Sequence, residues 1–208
     1  MKKDFGTWKR HYPAVPFEIF MFVTAIVMVA QRDWLHVLTS LFAFAVSFAP
    51  LWVERWFRIR LPVWLQLTYV LFVFGSMFMG EVLHMYGQFF WWDDVAHSVY
   101  GIIMAFGVVL WLELMKTRKS VKFPPIAQVL FVFSLVVSVA TLWEICEFLS
   151  DQWFGTWSQN GSLFDTMLDT IEATLGGLVV CAWYLWYLRP KRTVWLHRTI
   201  QHFLKSNP

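Results

Sequence analysis

Residues 20–30 read Phe-Met-Phe-Val-Thr-Ala-Ile-Val-Met-Val-Ala, and this nearly continuous apolar run decides the class of fold. A membrane β-strand alternates apolar and polar side chains, and the run shows no such alternation. In lipid the backbone must satisfy its own hydrogen bonds, which a helix does within one segment. The run therefore predicts a membrane-spanning helix.

Five further segments of the 208-residue chain have a similar length and composition. A helix crosses the hydrocarbon of a bilayer with roughly 20 residues. The chain is 58% hydrophobic and only 15% charged, whereas soluble chains average roughly 25% charged residues. We therefore exclude a soluble domain and expect an all-α polytopic bundle of six transmembrane helices, at residues 16–31, 34–53, 62–84, 94–115, 124–148 and 166–188.

Positive charges collect on alternate connections. Apart from Arg32, every Lys and Arg lies before span 1, between spans 2 and 3, between spans 4 and 5, or after span 6. The positive-inside rule assigns such segments to the cytoplasm. The pattern predicts an N-in, C-in topology. The basic residues then need no nucleic acid and no phosphate-bearing partner beyond membrane lipid headgroups.

The charge pattern also divides the chain. Residues 1–15 form a basic cytoplasmic leader, residues 16–188 the transmembrane domain, and residues 189–208 a basic cytoplasmic tail. In the tail, Leu196, Ile200 and Phe203 recur at helical spacing among cations, which predicts a short amphipathic helix on the inner surface. A frayed tail is the alternative.

Negative charges collect on the opposite side. Ten of the 14 acidic residues fall on or near the outer half: Asp33, Glu81, Asp93, Asp94, Glu144, Glu147, Asp151, Asp165, Asp169 and Glu172. Many recur three or four residues apart within predicted helices, a spacing that places them on one helical face. Spans 3 to 6 alternate in direction, so four such faces can meet at one depth.

Buried carboxylates without cations must protonate, stay hydrated or bind metal. Nearby histidines favour metal, because a mixed carboxylate and imidazole set suits Mn, Fe or Zn, whereas oxygen alone suits Mg or Ca. We predict a divalent metal site, with one or two ions, held by a set drawn from Glu81, His84, Asp93, Asp94, His97, Glu144, Glu147, Asp169 and Glu172. Asp93 is either a ligand or the group that orients His97.

Two hairpins share a pattern. Glu81-x-x-His84 aligns with Glu144-x-x-Glu147, and residues 94–101 align with residues 169–176, each running Asp-x-x-ligand-x-x-x-Gly. The hairpins run in the same direction, so the pattern suggests a parallel internal repeat of helices 3–4 and 5–6. The predicted ligand arrangement is analogous to that of carboxylate-bridged di-iron and di-manganese bundles.

Three passages carry a family resemblance: Trp-Asp-Asp-x-x-His at 92–97, Trp-Glu-x-x-Glu-Phe at 143–148, and Asp-x-x-x-Asp-Thr at 165–170 with Leu-Gly-Gly at 175–177. Together they resemble the YjdF-type family of bacterial inner-membrane proteins over about residues 16–188. The resemblance implies a multi-pass protein of the bacterial inner (plasma) membrane. The activity of that family is unassigned, so the resemblance names no reaction.

The leading hypothesis is a metal-dependent membrane enzyme, a hydrolase or an oxidoreductase, acting on a lipid or other apolar substrate. Metal would activate water, or with iron would activate oxygen. Glu147 and Glu172 are the candidate catalytic residues, because hydrolysis needs a general base. A transporter of divalent cations or protons is the alternative, for which Ser134, Ser138 and Thr141 supply a thin polar line below Glu144. The third hypothesis is a structural assembly subunit.

Four remaining polar residues are expected to be unimportant for the site. Glu18 and Glu113 lie towards inner helix ends and are expected to reach headgroups or basic connections. Asp33 is expected at the surface. His36 is expected to be an interfacial histidine, because span 2 brings no acidic residue to its depth.

Overall fold

The computed structural model describes residues 8–189 and 195–208, and within these ranges it contains helices and no strands. Six helices are long and apolar enough to cross a membrane. This confirms the all-α class and the number of spans. Spans 1 to 6 are Tyr12–Gln31, Trp34–Phe57, Val63–Val82, Trp92–Lys119, Pro125–Phe154 and Leu163–Tyr187. Shorter helices are Trp8–His11, Met85–Gln88 and the C-terminal helix Trp195–Ser206.

Several spans are longer than the apolar pattern indicates. Span 2 is bent, with one helix at Trp34–Ser47 and a second at Ala49–Phe57 that starts around Pro50. Proline lacks an N–H and suits the first turn of a helix, so the break falls just before it. Spans 4 and 5 end at Lys119 and Phe154, beyond the predicted 115 and 148. Their last turns are polar, which apolar length alone does not capture.

Span 3 changes its helical type half-way. An α-helix at Val63–Val73 continues as a π-helix at Phe74–Val82. The backbone N–H of Leu83 donates to the carbonyl of Phe78, five residues earlier, at 3.2 Å. The span thus ends at Val82 rather than at the predicted 84. π-Turns of this kind are rare and frequently occur at functional sites.

Contacts divide the chain into two compact units, Met1–Ala96 with Asn207, and His97–Ser206 with Pro208. The first unit has an apolar core of Met21, Ala43, Val73, Phe78 and Val82. These residues come from spans 1, 2 and 3, so the core ties the three helices together.

Buried acids of the first unit are paired with donors. Glu54 accepts two hydrogen bonds from the Arg10 guanidinium, at 2.9 and 3.1 Å, and one from the Gln66 amide. Glu18 accepts from the His11 ring at 2.5 Å and from the Ser47 hydroxyl. Glu18 therefore does not reach headgroups, because its carboxylate is hydrogen-bonded to His11 and Ser47 inside the protein.

In the second unit, span 5 presents one buried stripe at four-residue spacing: Gln128, Val132, Val136, Ala140 and Glu144. Span 6 packs small residues against its neighbours, and a side chain at Gly177 would collide with Val136 of span 5. Because Glu144 lies on the buried stripe, the packing of spans 5 and 6 draws its carboxylate out of solvent.

The tail forms the expected helix. Leu196, Ile200 and Phe203 are fully buried, and the Trp195 ring contacts Phe106 of span 4 edge-on at 5.8 Å. The frayed-tail alternative is thus wrong for Trp195–Ser206. The apolar face packs against protein instead of facing open lipid. Residues 1–7 of the leader and residues 190–194 of the tail lie outside the described residues.

Candidate metal centre

The first turns of span 4 carry acidic residues followed by a histidine. Asp93 and Asp94 occupy the first turn of the helix Trp92–Lys119, where carboxylates interact favourably with the helix dipole. His97 lies one turn after Asp93, on the same face of this continuous helix. Helix geometry alone therefore brings Asp93 and His97 together.

Span 6 supplies the third member. The Asp169 carboxylate is buried, with 4% of the residue exposed, and its Oδ1 lies 3.9 Å from the Nε2 of His97. Asp93, His97 and Asp169 each offer a ligand atom, and these atoms all lie within 4.8 Å of one another. We call these three residues the His97 cluster.

The approach of spans 4 and 6 depends on two glycines. A side chain at Gly101 would collide with the backbone carbonyl of Ala173, and one at Gly176 with the backbone carbonyl of Ser98. The two contacts mirror each other along the chain. Gly176 lies 75 positions after Gly101, and Ala173 lies 75 positions after Ser98. That offset is the one that aligns residues 94–101 with 169–176, so the crossing has the pairing that a repeat of these helices would produce. The repeat itself stays a prediction.

Glu144 lies beside a cavity in the same unit. The cavity has a volume of about 1040 Å³ and lies between span 5, span 6 and their connection. Its walls are mainly apolar, and Glu144 is one of the polar residues in them. The larger apolar side chains are Ile145, Phe148, Trp157, Leu163 and Met167. A carboxylate at the wall of an apolar cavity is an arrangement typical of a ligand site.

The Asp151 carboxylate accepts the hydrogen bonds of the connection that lines one side of the cavity. It accepts hydrogen bonds from the Thr156 hydroxyl at 2.6 Å and from the backbone N–H groups of Ser158 and Gln159. The Gln159 side chain in turn donates to the backbone carbonyl of Glu144 at 3.2 Å. Asp151 therefore holds the connection in a defined conformation.

The two candidate bases have different surroundings. Glu147 is half-buried, lies three residues after Glu144 and accepts a hydrogen bond from the Trp143 indole at 2.8 Å. Glu172 is half-buried in span 6 and lies three residues after Asp169. Glu172 thus lies on the helix that carries Asp169, whereas Glu147 lies on a helix that contributes no residue to the His97 cluster.

His84 does not share a helical face with Glu81, contrary to the prediction. The span ends at Val82, and His84 takes a left-handed conformation with φ of 57°. Its ring lies edge-on against the ring of His36, with centroids 5.1 Å apart. Both Glu81 and His84 are exposed. Their role as ligands stays a prediction, but the helical spacing no longer supports it.

His36 does have an acidic companion. Its ring Nδ1 donates to the Asp33 carboxylate at 2.6 Å, and Asp33 caps the first helix of span 2 by accepting from the His36 backbone N–H. The hydrogen bond from the His36 ring holds the pKa of the Asp33 carboxyl below its ordinary value of 3.8. The expectation that no acid accompanies His36 failed because Asp33 was assigned to the connection rather than to the helix cap.

Sequence reasoning missed a second polar cluster, the inner polar cluster of Glu113, Lys116, Gln128 and Tyr184. Lys116 donates to Glu113 at 2.6 Å and to Gln128 at 2.7 Å. The Tyr184 hydroxyl lies 2.5 Å from Glu113 and 2.7 Å from Gln128. Glu113 is therefore buried in a hydrogen-bonded network and does not reach headgroups. Isolated polar residues within apolar spans 5 and 6 were the available signal.

The polar line on span 5 does not lead to Glu144. Ser134, Ser138 and Thr141 are exposed, and Thr141 satisfies its hydroxyl on the carbonyl of Val137 at 2.9 Å. Glu144 belongs to the buried stripe instead. The helical face that was predicted to support a transport route is thus a different face of the helix.

Among the residues that the structure describes, one set of three or more ligating side chains has all its ligand atoms close together. This set contains three of the nine predicted ligands, Asp93, His97 and Asp169. The other six predicted ligands lie outside this set. Asp94 occupies the first turn of span 4.

Comparisons with known proteins give a family of predicted membrane proteins and no reaction. A family model described as "Predicted membrane protein (DUF2238)" matches residues 13–190. A Thermotoga maritima protein named "Uncharacterized protein" is 32% identical over 131 residues, which make up 62% of this chain and 66% of the relative. The match thus spans slightly less than two thirds of that relative. No solved structure matches.

Proposed function

This chain belongs to the DUF2238 family of predicted membrane proteins, and we propose that it is a metal-dependent membrane enzyme whose metal is held by the His97 cluster. The observation that carries the proposal is the convergence of one imidazole and two carboxylates within 4.8 Å, from two different spans. The six helices support a multi-pass protein. We place it in the bacterial inner membrane with both termini in the cytoplasm, on the support of the charge pattern.

The separation of His97 and Asp169 favours an ion between them. At 3.9 Å, the two atoms are too far apart for a direct hydrogen bond. Two ligands of one tetrahedral ion, each about 2.1 Å from it, lie about 3.4 Å apart. A small movement of either side chain would bring both atoms onto one metal ion.

The donor set indicates the kind of metal. Imidazole with carboxylate suits Zn, Fe or Mn better than Mg or Ca. Three protein ligands leave a coordination position for water or substrate, as catalytic zinc sites do. Such a metal would lower the pKa of a bound water for hydrolysis, or as iron would activate oxygen. In a hydrolase Glu172 would serve as the general base, with Glu147 as the alternative.

The cavity beside span 6 supports an apolar substrate. Its larger apolar side chains are Ile145, Phe148, Trp157, Leu163 and Met167. Thr170 in its wall is next to Asp169 in the sequence. An apolar chain could occupy this cavity while a polar group of the same molecule approaches the cluster. We therefore propose a lipid or another apolar molecule as the substrate.

Transport is the second candidate, and one specific observation favours it. Three members of the inner polar cluster, Glu113, Lys116 and Tyr184, lie on spans 4 and 6, which also carry the His97 cluster. Tyr184 lies fifteen residues after Asp169, or about 23 Å along span 6. Polar groups at both ends of a helix pair are what a carrier of protons or divalent cations needs. Against this, buried Ala105, Val109 and Val180 between the two clusters are apolar.

One experiment separates the two candidates. Protein purified with its metal is supplied with bacterial phospholipids, and turnover is followed by mass spectrometry. The same protein in liposomes is tested for flux of the same ion and of protons. Turnover that is lost in H97Q supports the enzyme. Flux without turnover would replace the enzyme with a carrier. If neither occurs and a second protein copurifies in fixed ratio, the third hypothesis, an assembly subunit, takes their place.

A further inference from the structure

The C-terminal helix presents a basic face that the proposed enzyme does not use. His197, Arg198, Gln201, His202 and Lys205 line a depression with a volume of about 460 Å³. His197, Gln201 and Lys205 are spaced by four residues, as are Arg198 and His202. Such spacing places the five side chains on adjoining rows of one helical surface.

The orientation of this face is fixed by the opposite face. Leu196, Ile200 and Phe203 are at most 2% exposed, so the helix cannot turn its basic face inwards without exposing them. The Tyr187 ring, at the end of span 6, packs on the His197 ring with centroids 5.7 Å apart. The cations therefore project outwards from a helix that is firmly packed on the protein.

The start of the C-terminal helix packs against span 4. Trp195 at its start contacts Phe106, which lies well within span 4, Trp92–Lys119. Its basic side chains can therefore extend to the headgroup layer of the leaflet at this end of the spans. In the described part of the chain, no carboxylate forms an ion pair with Arg198, His202 or Lys205. The positive charge of this face is therefore available to an anion outside the protein.

We propose that this basic face binds the headgroup of an anionic phospholipid. An arginine fork matches the oxygens of a phosphate, and a lysine adds a mobile positive charge. The neighbouring histidines add hydrogen-bond donors. Lipid is the favoured ligand over soluble phosphate because Trp195 and Phe106 hold the helix beside the hydrocarbon. This proposal is independent of the metal centre.

Native mass spectrometry of the full chain released from detergent tests the proposal. Phosphatidylglycerol, phosphatidylcholine and inorganic phosphate are titrated separately. We expect phosphatidylglycerol to bind more tightly than phosphatidylcholine. In R198Q/K205Q its affinity should fall by about tenfold or more, because the charge-assisted hydrogen bonds of Arg198 and Lys205 to the phosphate are lost. The conservative variant R198K/K205R should keep most of the binding.

A matched control uses the exposed cations at the end of span 4. R118Q/K119Q removes one arginine and one lysine from the same side of the protein and should leave the affinity unchanged. If both double variants lost the same affinity for phosphatidylglycerol, the binding would depend on net positive charge and not on this face, which would overturn the proposal. So would inorganic phosphate binding as tightly as the lipid. If R198Q/K205Q fails to fold, the wild-type comparison still decides, because equal binding of the two lipids contradicts the proposal.

Discussion

The Nε2 of His97 lies 3.9 Å from the Oδ1 of Asp169, and the two side chains come from different spans. This approach requires the backbones of spans 4 and 6 to lie in close contact one to two turns deeper, where Gly101 and Gly176 cross. The cluster is thus a consequence of the helix crossing as much as of its own residues.

Substituting Gly101 by Ala should therefore damage both stability and the cluster. The added methyl group would meet the carbonyl of Ala173, which belongs to a helix backbone and cannot rotate away. We expect a loss of about 1–3 kcal/mol in the free energy of unfolding, measured by titration with a denaturing detergent. Gly107→Ala is the control, because nothing lies within 4 Å of a Cβ there. Equal effects at both positions would contradict the crossing.

The inner polar cluster predicts a coupling between Lys116 and Glu113. K116M leaves a buried carboxylate without its cation, which should cost roughly 3 kcal/mol of unfolding free energy. The double variant E113Q/K116M should be more stable than K116M, because no buried charge is left. Lys119→Met, at an exposed cation on the same helix, should have little effect. The pair would be judged unimportant if the double variant were simply the sum of the single ones.

The hydrogen bonds to Asp151 should limit the mobility of the connection between spans 5 and 6. Removing its carboxylate in D151A takes away the acceptor for Thr156, Ser158 and Gln159. Hydrogen exchange at the amides of Ser158 and Gln159 should accelerate, since their protection reports local opening. Thr156→Ala, which removes one of the three bonds, should have a smaller effect. Unchanged exchange in D151A would show that other contacts hold the connection.

Asp33 predicts a pH effect at the start of span 2. Its pKa is held below 3.8 by the His36 ring, so the ionised carboxylate favours the folded state. That contribution is fully present above pH 3.8 and is lost as pH falls through the lowered pKa. In H36F the pKa of Asp33, followed by NMR of labelled aspartate, should rise towards 3.8. A pKa that does not change in H36F would exclude the His36 ring as the cause.

Part of the site could be predicted from the sequence, because it depends on helix periodicity. Asp93 and His97 meet whenever residues 92–119 are helical, whereas Asp169 approaches His97 only because spans 4 and 6 cross at Gly101 and Gly176. The apolar runs likewise indicate the number of spans. The position of His84 could not be predicted from periodicity, because no pattern in the sequence predicts the π-helix that ends span 3.

Other features depend on tertiary contacts that periodicity does not encode. Glu113 lies close to the basic end of span 4, where a carboxylate commonly meets headgroups. Its burial depends on Gln128 and Tyr184, which arrive from two other spans. The proximity of His36 and His84 similarly depends on where span 3 ends. The spacing of residues within one helix does not predict contacts with side chains of other helices.

Elemental analysis of the purified protein tests the central claim most directly. The protein is produced in cells supplied with Zn, Fe and Mn, purified in detergent and measured beside H97Q, D169N and the control H36Q, which changes a histidine outside the His97 cluster. We predict that the wild type and H36Q carry Zn, Fe or Mn at one or two ions per chain, and that H97Q and D169N lose it. A wild-type protein without metal, or one whose metal persists in H97Q and D169N, would contradict the metal centre.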